Sequence, residues 1–148
     1  MTPRTSADEI PLFSDVMALR ALGAPGEYEA NLNAHWTIGP KPHGGVMIAL
    51  CANAARQSYA DRGGVAYPIA VSANYLSAPD PGPVRLITTV RKRGRRIGLV
   101  DVELVQGDRA CVHAVVTLGE PEHDASPLFC DNPVTALMDP EPPPDVLP

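Results

Sequence analysis

Between Pro40 and Ala55 the chain reads Pro-Lys-Pro-His-Gly-Gly-Val-Met-Ile-Ala-Leu-Cys-Ala-Asn-Ala-Ala. Two prolines and two glycines forbid regular structure as far as Gly45, and no further breaker occurs before Arg56. The stretch therefore predicts a tight loop that delivers the N-terminus of a helix. Val46, Met47, Ile48, Ala49 and Leu50 are consecutively apolar, so the helix has no polar stripe to turn towards water and must be enclosed by the rest of the chain. Its first-turn N–H groups lack intrahelical acceptors and lie at the positive end of the macrodipole, which suits an anion or a polarised carbonyl oxygen. Gly44 and Gly45 would let such an oxygen come close.

Most of the enclosing material lies downstream, where the pattern has period two. Ile69 to Leu76 alternates, Pro79-Asp80-Pro81-Gly82-Pro83 breaks it, and a second strand is predicted from Val84 to Arg93. After Gly94 the alternation resumes with Gly98, Val100, Val102 and Leu104 on one side and Leu99, Asp101, Glu103 and Val105 on the other. Gln106-Gly107-Asp108-Arg109 turns the chain again, and Ala110, Val112, Ala114, Val116 and Leu118 form the apolar face of a last strand. Upstream, Tyr28, Ala30, Leu32, Ala34 and Trp36 predict one face of a strand from Glu27 to Trp36. Phe13, Val16, Met17, Leu19 and Leu22 predict a short helix that is capped by Ser14 or Asp15 and ends near Gly23. The central helix should run through Tyr59 and close at Gly63-Gly64. One apolar helix with an antiparallel meander has a simple solution, a sheet curled around the helix in an α+β arrangement.

A chain of 148 residues has room for one such core. The expected organisation is a flexible N-terminus over 1–12, a single domain over 13–119 and a Pro-rich tail or linker over 120–148, with one helical turn at Val134 to Met138. A net charge of -5 argues against a nucleic-acid partner. Cys51, Cys111 and Cys130 are an odd number without metal-ligand spacing, the N-terminus lacks the apolar run of a signal peptide, and no stretch is long enough to span a bilayer. A cytoplasmic protein with reduced thiols is the expectation.

Trp36, Pro42-His43-Gly44-Gly45, Val71-Ser72-Ala73-Asn74-Tyr75-Leu76, Pro81-Gly82-Pro83-Val84, Arg93-Gly94-Arg95-Arg96 and Val102-Glu103-Leu104-Val105-Gln106, in this order and spacing, resemble the N-terminal hotdog half of the acyl-CoA thioesterase II-like family. The resemblance covers Phe13 to Leu118. It implies a hotdog fold, fatty acyl-CoA thioesters as substrates, coenzyme A as part of the substrate and no separate cofactor. Members of that family typically join two hotdog halves in one chain, and their catalytic Asp, with its Ser/Thr and Gln partners, belongs to the second half. This sequence offers one half. Single-domain thioesterases of the phenylacetate-pathway type place an acid on the helix after His-Gly-Gly, where this chain has Ala52 between Cys51 and Asn53. The resemblance therefore predicts either a two-fold homodimer or pairing with a second hotdog half.

Thioester hydrolysis needs a polarised carbonyl and an activated water or nucleophile. The catalytic candidates are His43, Gly44, Gly45 and Asn53. The glycines either bind the oxyanion or simply let loop and helix pack, and His43 either bonds the thioester or fixes its own turn. Asn53, in an apolar helix, needs a hydrogen-bond partner, and a structural bond competes with a catalytic one. Ser72 and Asn74 share a strand face that would look towards the helix start. Arg91, Lys92, Arg93, Arg95 and Arg96 put five of the twelve basic side chains at one hairpin tip. They are either a solvated turn or, for Arg91, Arg93, Arg95 and Arg96, a docking place for the phosphates of coenzyme A. His35, His113 and His123 lack a metal-ligand pattern. Two functions remain open: an acyl-CoA thioesterase-like protein, or a non-catalytic acyl-CoA-binding or structural half that needs a catalytic partner. A hotdog dehydratase fits less well, because the Asp and His it requires have no obvious seat.

Overall fold

A computed structural model of the chain describes residues 10–60, 67–120 and 125–126. In chain order these form α1 (Phe13–Val16), β1 (Arg20–Ala21), β2 (Glu27–Leu32), β3 (Thr37–Ile38), β4 (Lys41–Pro42), α2 (Gly44–Ala60), β5 (Tyr67–Tyr75), β6 (Gly82–Arg93), β7 (Ile97–Gln106) and β8 (Arg109–Gly119). The long strands build one antiparallel sheet in the order β1-β2-β6-β7-β8-β5, and β3 and β4 form a separate two-stranded ribbon. This is the hotdog arrangement, α+β, with α2 laid against the sheet. The expected closure at Gly63-Gly64 and the turn at Val134 to Met138 lie outside the described residues.

The period-two pattern places the core. Val100, Val102 and Leu104 of β7 and Val112, Ala114, Val116 and Leu118 of β8 are fully buried, together with Leu86 of β6 and Leu50, Cys51, Ala54 and Ala55 of α2. Between Leu104 and Val105 the β7–β8 register shifts, so that Val105 faces Ala110. This bulge gives β8 two successive buried residues, Cys111 and Val112, where strict alternation expects one.

Four expectations need correction. Enclosure of α2 within this chain is one-sided: Val46, Met47, Leu50, Cys51, Ala54, Ala55, Ser58 and Tyr59 are buried, whereas Ile48, Ala49, Ala52 and Asn53 are half-buried. The first helix has four residues, starts after Leu12 without a side-chain cap, and gives way to β1. There Arg20 and Ala21 pair with Glu29 and Tyr28, and the Arg20–Glu29 ion pair at 2.6 Å joins the two strands; long-range pairing overrides local helical spacing. β2 stops at Leu32 because the Asn33 side chain accepts from His35 N–H at 2.8 Å and its carbonyl from Trp36 N–H at 3.1 Å, which turns the chain. Finally, the region before the helix is not wholly irregular. Gly39, at φ 59°, lets Thr37–Ile38 fold back on Lys41–Pro42.

Candidate functional site

The β3–β4 ribbon delivers His43 to the start of α2. His43 N–H donates to Trp36 O at 2.9 Å, and His43 O accepts from Val46 N–H at 3.1 Å and Met47 N–H at 3.4 Å. Its Nδ1 accepts from Gly45 N–H at 2.9 Å. His43 is thus the N-cap of the helix, using its ring nitrogen as Ser or Asp would use oxygen. Of the first-turn donors, Gly45, Val46 and Met47 are satisfied, and Gly44 N–H has no acceptor among the described residues. The donor open to a carbonyl oxygen is therefore Gly44, and not Gly45.

Neither glycine is in the left-handed region, so both are explained by space. A Cβ on Gly44 would lie 2.9 Å from Tyr75 Oη and 3.1 Å from Tyr75 Cζ, whereas one on Gly45 would lie 2.9 Å from His43 Cε1. Tyr75 closes this end of the helix, and its hydroxyl donates to Gly44 O at 2.9 Å. Partial desolvation of its hydroxyl against the helix start, and after it the proximity of Cys51, raises the Tyr75 phenol. Burial pushes the Cys51 thiol up to about 12. Both groups keep their protons at neutral pH, and Cys51 is no nucleophile.

Tyr75 was not among the residues expected from the sequence to form the site. Its parity was the available signal: successive strand residues face opposite ways, and Ala73 packs against the core. Tyr75 shares that face. Ser72 and Asn74 therefore lie on the other one, exposed and directed away from the helix start, opposite Val115 and His113 of β8. Asn53 is also elsewhere. Its Nδ2 donates to Met17 O at 2.8 Å and its Oδ1 accepts from Arg56 at 3.1 Å, so it ties α2 to the N-terminal segment.

The basic hairpin divides in the same way. Arg91 pairs with Asp101 at 2.6 Å. The Arg93 guanidinium stacks on the Tyr59 ring at 4.4 Å and donates to Tyr59 O at 3.1 Å. Lys92, Arg95 and Arg96 are left exposed, and among the described residues no side-chain hydrogen bond or ion pair engages them. Because Arg93 meets the last turn of a 17-residue helix, roughly 25 Å long at 1.5 Å per residue, hairpin and helix start lie at opposite ends of α2. This chain does not bring them together. Among the described residues no group of three or more His, Cys, Asp or Glu side chains is arranged to hold a metal ion, and no helix is long and apolar enough to cross a membrane.

Beyond β5, Lys41 pairs with Asp80 at 2.6 Å, and the hydrogen bond from Lys41 and then its charge lower the Asp80 carboxyl. Gln106 holds both the N–H and the carbonyl of Asp80 at 2.8 Å, and Arg109 donates to Ala78 O at 3.2 Å. The segment after Tyr75 is therefore fastened to the ribbon before α2 and to the β7–β8 turn.

An uncharacterized protein of Mycobacterium tuberculosis is 55% identical over 157 residues, covering 93% of this chain and 54% of the relative. The chain thus spans about half the length of the relatives it matches. A putative thioesterase II from Thermobifida fusca has the same fold at a TM-score of 0.75 and 20% identity, over 85% of this chain and 46% of the other. A Bacillus halodurans protein solved with CoA superposes at a TM-score of 0.62 and 12% identity, over 68% of this chain and 70% of the other. Residues 32–119 match the family described as the acyl-CoA thioesterase N-terminal domain. With its sheet, its central helix and more than half its length accounted for by that match, the chain belongs to the acyl-CoA thioesterase N-terminal domain family.

Proposed function

We propose that the protein is one hotdog half of an acyl-CoA thioesterase, binding the thioester of a fatty acyl-CoA at the start of α2 and drawing the catalytic carboxylate from a second half. The observation behind this reading is an open donor, Gly44 N–H, at the positive end of a helix whose sequence from Gly44 to Ala60 contains no Asp or Glu. Such a donor polarises a carbonyl. The His43 Nδ1 lone pair is taken by Gly45 N–H and α2 carries no carboxylate, so the activation of water falls to the second half. The nearest candidate nucleophile, Cys51, is a neutral buried thiol.

The second half docks on β5. That strand is at the edge of the sheet and exposes Tyr67, Ile69, Val71 and Tyr75 beside its unpaired backbone groups. The half-buried side of α2 is covered in the same assembly. The occupant is a second copy of this chain or a separate hotdog half, and relatives about twice as long favour a paired arrangement. Arg95 and Arg96 are the groups left for CoA phosphates, and in a paired assembly they serve the helix start of the partner. CoA in the Bacillus halodurans structure supports this ligand class. The free thiols Cys51 and Cys111 suit a reducing compartment such as the cytoplasm.

Hydrolysis and binding measured on one panel of acyl-CoAs, with the chain alone, test the proposal. Binding without turnover is expected where the carboxylate belongs to a separate half. Turnover by the isolated chain would make it a self-sufficient thioesterase, and the absence of both would remove the acyl-CoA reading.

A further inference from the structure

The peptide unit that joins Gly44 to Gly45 is held at both ends by side chains from outside the helix. Its oxygen accepts from the Tyr75 hydroxyl at 2.9 Å, and its N–H donates to His43 Nδ1 at 2.9 Å. Glycine at a helix start has more conformational freedom than any other residue, and a frayed first turn would aim its donors in many directions. The Gly44 N–H belongs to the preceding peptide, whose oxygen, His43 O, accepts from Val46 and Met47 N–H; with both planes that flank Gly44 held, its φ and ψ are set and its N–H takes one direction.

We infer that Tyr75 is a positioning residue for the thioester carbonyl, acting through the Gly44–Gly45 peptide to aim the Gly44 N–H. The inference rests on the reading of the α2 start as the carbonyl-binding end. Tyr75 is suited to the role by its own anchorage. Leu76 and Ser77 N–H both donate to Cys111 O, at 2.9 and 3.2 Å, and Ser77 Oγ–H donates to Ala110 O at 2.9 Å. The Lys41–Asp80 pair then ties the following loop to the ribbon that carries His43. The hydroxyl and the imidazole are thereby referenced to one rigid frame. The fit is tight from the other side as well, since a methyl group on Gly44 would displace the phenol.

Two variants separate this role from simple packing. Tyr75→Phe keeps the ring and the edge strand but removes the donor, and Gly44→Ala keeps the donor but pushes it off its acceptor. Two ligands are titrated: an acyl-CoA thioester, and the S-alkyl-CoA thioether, which has no carbonyl. The wild-type chain should prefer the thioester, and either variant should lose about 3- to 10-fold of that preference, the size of one hydrogen bond, with little change for the thioether in Tyr75→Phe. Amide hydrogen exchange at Gly45 should accelerate in both variants. Equal losses for the two ligands, or an unchanged preference, would overturn the positioning role, as would unaltered exchange at Gly45. If the wild type bound neither ligand, the carbonyl-binding reading would itself fall. Faster exchange would then report a clamp that serves the fold alone.

Discussion

Arg93 closes the last turn of α2 by stacking on Tyr59, 4.4 Å from the ring centre, while donating to the carbonyl of that same residue. A cation at a helix C-terminus is favoured by the macrodipole, and a guanidinium over an aromatic face adds about 0.5–2 kcal/mol. Tyr59 is seated in turn on Gly98, where a Cβ would strike its ring.

Arg93 should therefore behave differently from its neighbours. Arg93→Ala is expected to lower stability by about 1–2 kcal/mol in urea titrations and to leave CoA-ester affinity unchanged. Arg95→Ala with Arg96→Ala should do the reverse, weakening CoA-ester binding at low salt and flattening its salt dependence. If all three lowered affinity alike, the division of the hairpin would be wrong.

For His43 the cap makes a chemical prediction. His43→Ala should cost roughly 0.5–2 kcal/mol, and His43→Ser or His43→Asn should restore most of it, because either oxygen can accept from Gly45 N–H. Failure of both to rescue thermal stability would show that the imidazole does something a cap does not.

Cys51 sets an alkaline limit. Its pKa in the folded chain is raised from 9.0 to about 12, so its contribution to stability is complete below pH 9 and is lost as pH rises through that interval. In a Cys130→Ser background, a thiol reagent at pH 8 should react with Cys51 and Cys111 only at the rate of unfolding. Rapid labelling of two thiols in the native protein would contradict the burial.

The open edge at β5 predicts association. Light scattering at micromolar concentration should give a species of twice the chain mass, or a monomer that recovers a second hotdog half on pull-down. Val71→Lys, in the middle of the exposed strand, should weaken either form while leaving the unfolding midpoint of the dissociated chain unchanged. A stable monomer with no partner would end the shared-site proposal.

Much of this architecture was legible in the sequence because its strands obey a strict period. Val100, Val102 and Leu104 could face only one way, and His-Gly-Gly after two prolines marked the start of α2, which takes in both glycines that the sequence left to the loop. What was not legible depends on contacts distant along the chain. Nothing local to Phe13–Leu22 says that Arg20 will find Glu29 and form a strand. Asn53 in an apolar helix called for a hydrogen-bond partner, but the sequence does not say that the partner is a carbonyl 36 residues away. Ser72 and Asn74 drew attention as polar groups, yet pleating gives the helix-facing position to Tyr75. The hairpin cations looked equivalent until Asp101 and Tyr59 claimed two of them.

The strand that reaches the helix start contributes no fully buried side chain: every residue of β5 is exposed except Ala73, which is half-buried. Among the described residues the fully buried side chains come instead from β2, β6, β7, β8 and α2, joined by Pro79 in the loop after β5. Evolvability and foldability thus reside in different strands. Substitutions along β5 can retune the first turn of α2, or the choice of docking partner, while the interior that makes the chain fold is left alone.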